Sequence, residues 1–403
     1  MAVIRFIRAC IREMFRGPRE YWILLITLSL IILFGAWRYS QQLASGLVVT
    51  GMSDQVSWGF YISNFAFLVG IAAAAVLLAI PAYIFDRKDM KNVVLVGETM
   101  AVAAVIMAIL FVVADLGRPD RLWHMIPGIG RFNWPTSLLA WDVLVLSVYF
   151  LLNLAIPFFI LYRIYQGKEA TFRLYFPLVV LTMFWAISIH TVTAFLFSAN
   201  PARPFWHTAL LGPRFIASAF ASGPALIIIA LQLIRKTTSY HVSQSVIELL
   251  ALIMTTALQI SLFFLGVEFF TAFYNEGAHA ASLRYLYLGL HGFASLQSWI
   301  WSALALNVIA VVILMIHPLR QKTLMLNIAC VLTFVGIWIE KGMGLVIPGF
   351  IPTPLGEVFE YAPTSIETSI AAGIWALGLL IFTILTKAMI AIKHGKIRLA
   401  PKV

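Results

Sequence analysis

Ten long apolar runs, separated by short polar segments, dominate the pattern of the chain. A helix that crosses a bilayer needs about 20 mostly apolar residues, and each run is long enough. Backbone groups in lipid must be satisfied within the protein, so such runs predict helices, and the short alternating segments typical of a membrane barrel do not occur. We predict an all-α integral membrane protein, a bundle of about ten transmembrane helices. The predicted spans are 21–39, 59–85, 93–115, 137–163, 174–197, 214–234, 247–273, 293–316, 324–346 and 367–392.

The composition supports this interpretation and limits the cofactors that the chain can bind. Of 403 residues, 62% are hydrophobic and 11% are charged, whereas soluble domains are about a quarter charged. The two cysteines, Cys10 and Cys330, are too few for an iron–sulfur cluster, which needs about four. Haem b needs two histidines at matching depth on facing helices, and His190 has only His291, near a helix start, as a companion. We expect no haem, iron–sulfur cluster or other metal in this chain.

The first twenty residues follow a different pattern. Arg5, Arg8, Arg12 and Arg16 recur at helical spacing with apolar residues between them, which is typical of an amphipathic helix lying on an anionic membrane surface. No small-residue cleavage site precedes the first span, so a signal peptide is not predicted. The expected organisation is a basic interfacial segment at 1–20, a ten-helix membrane domain at 21–393 and a cytoplasmic tail at 394–403.

The distribution of lysine and arginine predicts the orientation of the bundle. Twenty of the 28 lie in the N-terminal segment, the even-numbered loops and the C-terminal tail, against six in the odd-numbered loops. Cytoplasmic loops carry an excess of these residues. Both termini are therefore expected on the cytoplasmic side of the inner membrane, and the formal net charge of +11 indicates topology and not binding to nucleic acid.

Two outer loops share a motif. Arg118-Pro119 is followed by Trp123-His124 in the polar stretch at 114–142, and Arg203-Pro204 is followed by Trp206-His207 in the loop at 198–214. Each motif follows an outward helix and precedes an inward one, which predicts a repeated helix hairpin. The longest outer segment, 346–367, has four prolines and no Lys or Arg, and we expect it to form a docking surface for another subunit.

Polar side chains within the spans are concentrated in one leaflet. An ionisable side chain in lipid is costly, so those present usually face a cavity and have a function. Nearly all lie toward the outer face, which predicts a polar pocket inside the bundle and open to that side. Glu340 and Lys341 are expected to hold the outer rim together, whereas Glu98 and Glu248, near the inner face, are either solvated or part of a proton route. The outer group comprises Tyr61, Asn64, Asp115, Asp142, His190, Glu268, Gln297, Glu340 and Lys341.

The residues at these positions resemble a known family. Asp115-Leu116-Gly117-Arg118-Pro119, the Trp141-Asp142 pair and Arg203-Pro204 with Trp206 are similar to motifs of the NrfD/PsrC family of quinone-interacting membrane subunits. The resemblance covers the second to the ninth span. The ten-helix length, the run PGFIPTPLGEVFEYAPT and the run SIHTVTAFLFS look closest to the DsrP/HmeB type of the DsrMKJOP-like redox complex. Subunits of alternative complex III and of hydrogenase-2 have the same ten-helix pattern.

The resemblance implies a quinone-reactive subunit of an oxidoreductase complex rather than a stand-alone enzyme. Such subunits bind menaquinone or ubiquinone near the outer face and exchange electrons with a docked iron–sulfur subunit of the ferredoxin type. Cytochrome c, cytochrome b and cytoplasmic iron–sulfur subunits are expected in the same complex. The implied setting is anaerobic sulfur or sulfate respiration, with proton translocation as an open possibility.

The resemblance also assigns roles to residues. Tyr61, Asn64 and His190 match places where the family contacts the quinone ring, and Asp115 and Asp142 match acidic positions near the pocket. We expect Asp142 and His190 to be the proton-exchanging groups, because burial and partners can bring their pKa values toward neutrality. Arg118 and Arg203 are expected to organise the roof of the pocket or the docking surface. The other candidates for contact with the ring are Trp141, Glu268 and Gln297.

Two alternatives from other classes remain open. A secondary transporter would also have repeats and charges within the membrane, but its site would lie near the bilayer midplane at interrupted helices. Gly223-Pro224 is the one helix break to examine. The chain could instead be a passive anchor for a redox partner, without a quinone site. A quinone bound to the purified protein would argue against both.

Overall fold

The computed structural model describes residues 2–399, and its regular structure is helical apart from two isolated bridges. Within this range, ten helices are long and apolar enough to cross a membrane, so the prediction of a helical membrane bundle is confirmed. The helices are α1 (Ala2–Met14), α2 (Arg19–Ser45), α3 (Phe60–Ile84), α4 (Lys88–Asp115), α5 (Leu138–Tyr165), α6 (Phe172–Ser198), α7 (Leu211–Thr237), α8 (Gln244–Asn275), α9 (Ala278–Tyr287), α10 (Gln297–Met315), α11 (Thr323–Lys341) and α12 (Ser365–Lys393). Short helical turns lie at Leu47–Val49, Pro119–Met125, His317–Arg320, Met343–Val346 and Ile347–Phe350.

Two rings of four helices form the centre of the bundle. In the first ring, α3 packs against α4 and α6, and α5 packs between α4 and α6. In the second ring, α7 packs against α8 and α11, and α10 packs between α8 and α11. Contact between α3 and α7 joins the two rings, while α2 and α12 form a pair beside α4. As a result α3 is buried along nearly its whole length.

The contact between α3 and α7 depends on a glycine. A Cβ atom at Gly223 would lie 2.0 Å from the Cβ of Ala74. Two carbon atoms cannot approach so closely, so only glycine fits at this position. Pro224 follows it, yet α7 continues through both residues. Proline is tolerated in a transmembrane helix when neighbouring groups satisfy the freed carbonyl. The Gly-Pro pair therefore serves close packing and does not interrupt the helix.

The eighth span starts later than the sequence pattern predicts. The prediction was 293–316, but α10 begins at Gln297. His291 and Gly292 have φ values of 53° and 88°, and Leu290 pairs with Phe293 in an isolated bridge. A residue with positive φ cannot lie within a right-handed helix, so a tight turn occupies these positions.

The helix α1 lies across one end of the bundle. Phe6 packs against Phe158 of α5 and Tyr165, with ring centroids 5.6 and 5.1 Å apart. Cys10 is also buried, and desolvation raises the pKa of its thiol to about 11. Arg5, Arg8, Arg12 and Arg16 are exposed, as an interfacial helix requires. Met1 and residues 400–403 of the expected tail lie outside the described residues.

The opposite end of the bundle, here called the distal face, is formed by the segments between helices. Its segments are tied together: Trp206 Nε1 donates to the carbonyl of Leu345 at 2.8 Å, and Ser282 Oγ donates to the carbonyl of Ile351 at 2.6 Å. The long segment before α12 is thus held by two other loops. The distal face consists of residues 46–59, 116–137, 199–210, 276–296 and 342–364.

Candidate functional site

A buried polar cluster lies between α5 and α6, toward the distal face. Thr193 Oγ1 donates a hydrogen bond of 2.8 Å to Asp142 Oδ1. His190 is three residues earlier on α6, so it lies on the same helix face as Thr193. Asp142 and His190 are 2% and 1% exposed, although each can carry a charge. The two residues expected to exchange protons therefore lie in the protein interior and not against lipid.

Only one of the two ring nitrogens of His190 has a hydrogen-bond partner among the described residues. Its Nδ1 lies 3.2 Å from the carbonyl oxygen of Ala186. A carbonyl can only accept, so Nδ1 carries the proton in the neutral ring and Nε2 has a free lone pair. This Nε2 is buried and has no hydrogen-bond partner among the described residues. An unpartnered buried acceptor of this kind is where a ligand hydroxyl could donate.

Lys341 of α11 lies close to the same cluster. Its ammonium donates to the carbonyl of Phe215 at 3.3 Å and lies 4.2 Å from the centroid of the Phe215 ring. Gly70 of α3 leaves room for it, since a Cβ there would be 3.2 Å from Lys341 Nζ. The ammonium is close enough to His190 for an electrostatic interaction. A buried cation from a third helix thus joins the cluster, whereas the sequence pattern placed Lys341 at the rim.

Asn64 is engaged by two tryptophans. Its Oδ1 accepts hydrogen bonds from Trp338 Nε1 at 3.1 Å and Trp375 Nε1 at 2.9 Å, and its Nδ2 donates to the carbonyl of Phe60 at 2.8 Å. Trp338 is one turn before Lys341 on α11. Because Asn64 uses both lone pairs of its oxygen in this way, it holds α3 against α11 and α12.

Tyr61 belongs to a different polar group, between α2, α3 and α4. Its hydroxyl donates to Gln42 Oε1 at 2.6 Å, and Gln42 Nε2 donates to the carbonyl of Ala114 at 2.7 Å. Asp115 follows Ala114, and its Oδ1 has no hydrogen-bond partner among the described residues. Asp115 is not paired with Arg118. Consecutive turns of α3 thus direct Tyr61 and Asn64 to separate partners.

Aromatic side chains cover the cluster at the distal face. This aromatic cap consists of Trp58, Phe197, Trp206 and Phe350, with the rings of Trp58 and Trp206 stacked 5.7 Å apart. Phe197 also packs against Phe215, 6.1 Å away, which links the cap to Lys341. The guanidinium of Arg203 lies 4.6 Å above the ring of Phe350. The Arg203-Pro204 motif thus packs against the aromatic cap through Arg203.

The related motif at Arg118-Pro119 has other surroundings. Arg118 is exposed and forms a two-pronged pair with Asp120, at 2.9 and 3.0 Å. That hydrogen bond lowers the pKa of the Asp120 carboxyl. Trp141 Nε1 donates to the carbonyl of Pro135 at 2.8 Å, and its ring packs against Trp134. These residues shape the exposed segment 116–137 and lie outside the buried cluster.

Glu268 lies in a buried ion cluster of the second ring. Arg214 of α7 pairs with Glu268 of α8 and, at 2.8 Å, with Glu340 of α11. Asn307 Nδ2 donates to Glu340 at 3.1 Å, and His279 Nε2 lies 3.6 Å from Glu268. A cavity of about 200 Å³ adjoins the cluster and is lined by His207, Thr208, Leu210, Leu211, Arg214, Phe264, Glu268, Thr271, Ala272 and His279.

The remaining candidates are dispersed. Gln297 is partly buried and donates to the carbonyl of Tyr287 at 3.1 Å. Glu98 is buried near the other end of the bundle, and its Oε2 has no partner among the described residues. Glu248 is exposed, so the two residues of the expected proton route have different environments. No group of three potential metal ligands occurs within the described residues.

The sequence pattern missed several residues that build the site. Thr193, Trp338 and Trp375 act through hydrogen bonds between distant segments, which no local pattern reveals. Arg214 was assigned to a loop although it lies inside α7. A three-residue spacing between Thr193 and His190, on a helix that already has one buried titratable group, is the signal that could have identified Thr193.

Comparison with known proteins now assigns the family. Residues 48–352 match the profile described as "Polysulphide reductase, NrfD". The chain belongs to the NrfD family. The match extends from the turn before α3 to the segment after α11, and it includes every residue of the Asp142–His190–Lys341 cluster.

Relatives of this NrfD-family chain resemble it over nearly their whole length. A Hdr-like menaquinol oxidoreductase integral membrane subunit of Archaeoglobus fulgidus is 26% identical, over 91% of this chain and 92% of its own. A protein of Halobacterium salinarum, provisionally named as a membrane subunit of dimethyl sulfoxide reductase, is 26% identical, over 89% of this chain and 88% of its own. A menaquinone reductase integral membrane subunit of Nitratidesulfovibrio vulgaris is 23% identical, over 87% of each chain.

Proposed function

We propose that this chain is the quinone-reactive membrane subunit of an oxidoreductase complex, with its ring site at Asp142, His190 and Lys341. The observation that carries the proposal is the buried and unpartnered Nε2 of His190, on the helix face whose Thr193 bonds to the carboxylate of Asp142 and within electrostatic range of the Lys341 ammonium. Three ionisable groups from three helices are costly to bury together unless a ligand uses them. Relatives named as membrane subunits of a menaquinol oxidoreductase and of a menaquinone reductase favour menaquinone as the ligand.

The residue types suit the ring oxygens of a quinone. Oxidation of a quinol at such a site releases two electrons and two protons. His190 accepts a proton at Nε2, which its bond through Nδ1 to Ala186 leaves available. Asp142, oriented by Thr193, is a second proton acceptor within the same space. Lys341 supplies a positive charge where negative charge develops on an oxygen.

The cluster is closely packed. The three cavities described for the chain are lined by other residues, and a ring reaches His190 when neighbouring aromatic side chains move. Phe215 and the aromatic cap are the side chains that separate the cluster from the distal face. We propose that they shift when the ring binds.

The distal face supplies a surface for a redox partner. Segment 116–137 exposes Trp123, Ile126 and Ile129, at 48%, 47% and 69%, together with three arginines. Exposed apolar patches of this kind mark protein interaction sites. We propose that an iron–sulfur subunit docks here and on the segment 346–367, and that the distal face is the extracytoplasmic one. The subtype, the involvement of cytochromes and coupling to sulfate respiration remain parts of this proposal.

The alternatives are less consistent with the geometry. A transporter of the discontinuous-helix type has half-helices at its site, whereas α7 runs unbroken through Gly223 and Pro224. A passive anchor needs no buried cluster of titratable groups. Neither alternative gives Nε2 of His190 a function.

The experiment uses the whole complex purified in mild detergent. We expect menaquinone to copurify, and His190→Ala and Asp142→Asn to lower quinol-dependent electron transfer by about tenfold or more while the complex still assembles. Thr191→Ala is the matched control, because its exposed hydroxyl bonds to a carbonyl of its own helix α6. Normal quinone reaction in both site variants would refute the assignment, and transport of a solute without quinone would favour the transporter.

A further inference from the structure

A groove of about 400 Å³ lies where the two rings of helices meet, at the end of the bundle opposite the distal face. One wall comes from α3 of the first ring and the other from α8 of the second ring. The lining is apolar apart from a single charged residue, and it consists of Leu77, Ile80, Pro81, Phe85, Arg87, Leu249 and Ile253. Arg87 lies in the turn after α3, so the groove is apolar inside and basic at its mouth.

Pro81 widens the last turn of α3 beside this groove. Residues Ile80–Ile84 form a π-helical turn with Pro81 near its start, because proline has no N–H to donate to the carbonyl of Leu77. Wide turns of this type occur frequently at functional sites. The neighbouring side chains of Phe85 and Leu252 are exposed. In a chain that crosses the membrane, a groove beside such side chains opens toward lipid.

Two basic segments meet at the mouth of the groove, at the start of α8. Ser245 Oγ donates to Asp89 at 2.7 Å, and Arg235 Nη1 donates to the neighbouring Gln244 at 3.1 Å. These contacts bring the turn after α3 and the end of α7 to the first residues of α8. The mouth has an excess of positive charge, because five basic and three acidic residues lie in the segments 85–91, 235–236 and 244–249.

The acidic groups at the mouth leave two lysines unpaired. Two of the three acidic residues pair with basic residues of the same turn, Asp89 with Arg87 and Asp86 with Lys91. Among the described residues, no acidic side chain pairs with Lys88 or Lys236, and both lysines are exposed. Two ammonium groups are therefore free to bind an anion.

We propose that the groove binds one phospholipid with an anionic head group, with an acyl chain between α3 and α8 and its phosphate beside Arg87, Lys88 and Lys236. Burial of apolar surface holds the acyl chain, and basic pockets between transmembrane helices at the membrane surface bind anionic head groups. Arg87 uses Nε and Nη2 for Asp89 and keeps Nη1 for the phosphate. A lipid in this place contacts both rings and stabilises their association. The inference does not depend on the proposed function.

The first test compares head groups. The whole complex, freed of lipid in mild detergent, is titrated with dioleoyl phosphatidylglycerol or dioleoyl phosphatidylcholine, and native mass spectrometry counts the lipids that remain bound. We expect phosphatidylglycerol to bind more tightly, and Lys88→Gln and Lys236→Gln each to weaken its binding by about fivefold, because each removes a basic group near the phosphate. Glu248→Gln, which removes an exposed acid at the start of α8, should strengthen it. Lys322→Gln is the control, because Lys322 is exposed at the same end of the bundle, before α11.

The second test fills the groove. Ile253→Trp places a large ring in it, and Ile260→Trp is the control, because Ile260 is exposed on α8 and absent from the lining. We expect phosphatidylglycerol to raise the unfolding temperature of the wild type and of Ile260→Trp but not of Ile253→Trp, whose unfolding without lipid reports on its fold. Leu249→Phe, a smaller change on the same wall, should reduce the effect in part.

Neither measurement involves turnover of quinone, so its outcome is independent of the proposed ring site. Equal binding of the two phospholipids, or menaquinone bound in the groove in place of phospholipid, would overturn the proposal. Wild-type binding in both Lys88→Gln and Ile253→Trp would also overturn it.

Discussion

Thr193 donates a hydrogen bond of 2.8 Å to Asp142 and so ties α6 to α5 inside the first ring of helices. The hydroxyl is completely buried and the carboxylate nearly so. The bond holds the carboxylate on the same side of α6 as His190. Two of the three side chains proposed for the ring site, Asp142 and His190, are thus placed together through Thr193, and their relative placement is testable at that residue.

Replacing Thr193 with Val keeps the shape of the side chain and removes the donor. A buried carboxylate that loses a partner is destabilised by about 1–3 kcal/mol, so we expect thermal unfolding of the purified complex at a lower temperature. Quinol oxidation should fall and its pH profile should shift, because Asp142 is no longer oriented. Thr191→Val is the control on the same helix. Wild-type stability and an unchanged pH profile in Thr193→Val would show that the hydrogen bond does not position the Asp142 carboxylate.

Asn64 and His190 are expected to respond differently to substitution. Asn64→Leu leaves the indole N–H groups of Trp338 and Trp375 without their acceptor, at about 1–3 kcal/mol for each buried donor. Asn64→Asp keeps an acceptor and should be milder. We therefore expect Asn64→Leu to lower thermal stability more than the affinity for quinone, measured by titration of a tight inhibitor. The reverse order would identify Asn64 as a ring contact.

The sequence predicted the helices better than the site. The length of each apolar run was sufficient to predict the ten spans, because the thickness of the bilayer sets the length of each helix separately. The start of α10 lies at Gln297 and not at 293, since Phe293 closes a tight turn with Leu290. Residue type alone identified Asp142 and His190 as candidates. Residue type could not show that Tyr61 and Asn64 bond to different partners, or that Glu268 and His190 belong to different clusters. These differences depend on which neighbouring helix each side chain faces.

Gly349 is required for the aromatic cap. A Cβ there would lie 1.9 Å from an indole carbon of Trp206, so Gly349→Ala must displace Trp206 from its bond to the carbonyl of Leu345. Overpacking of this kind costs about 1–3 kcal/mol, and we expect a lower unfolding temperature and altered tryptophan fluorescence. Gly212→Ala is the matched control, because its Cβ would meet open space. Equal behaviour of the two variants would mean that the cap is not closely packed.

His279 should make the stability of the complex depend on pH. Burial by itself lowers the pKa of this imidazole, but its interactions with Glu268 and with the carbonyl of Pro204 outweigh burial, so the pKa is raised. A raised pKa in the folded state means that protonation stabilises the fold. That contribution is fully present below the unfolded value of about 6.5 and is lost as the pH rises through the folded pKa.

The measurement compares unfolding temperatures of the wild type and His279→Ala in the purified complex from pH 6 to pH 9. We expect the wild type to be more stable at pH 6 and the difference to shrink as the pH rises, because neutral His279 can no longer donate to both Glu268 and Pro204. Glu268→Gln should remove most of this dependence, since it removes the carboxylate that favours the protonated ring. His241→Ala, at an exposed position, is the control. A difference that is constant with pH, or that grows toward pH 9, would contradict the raised pKa assigned to His279.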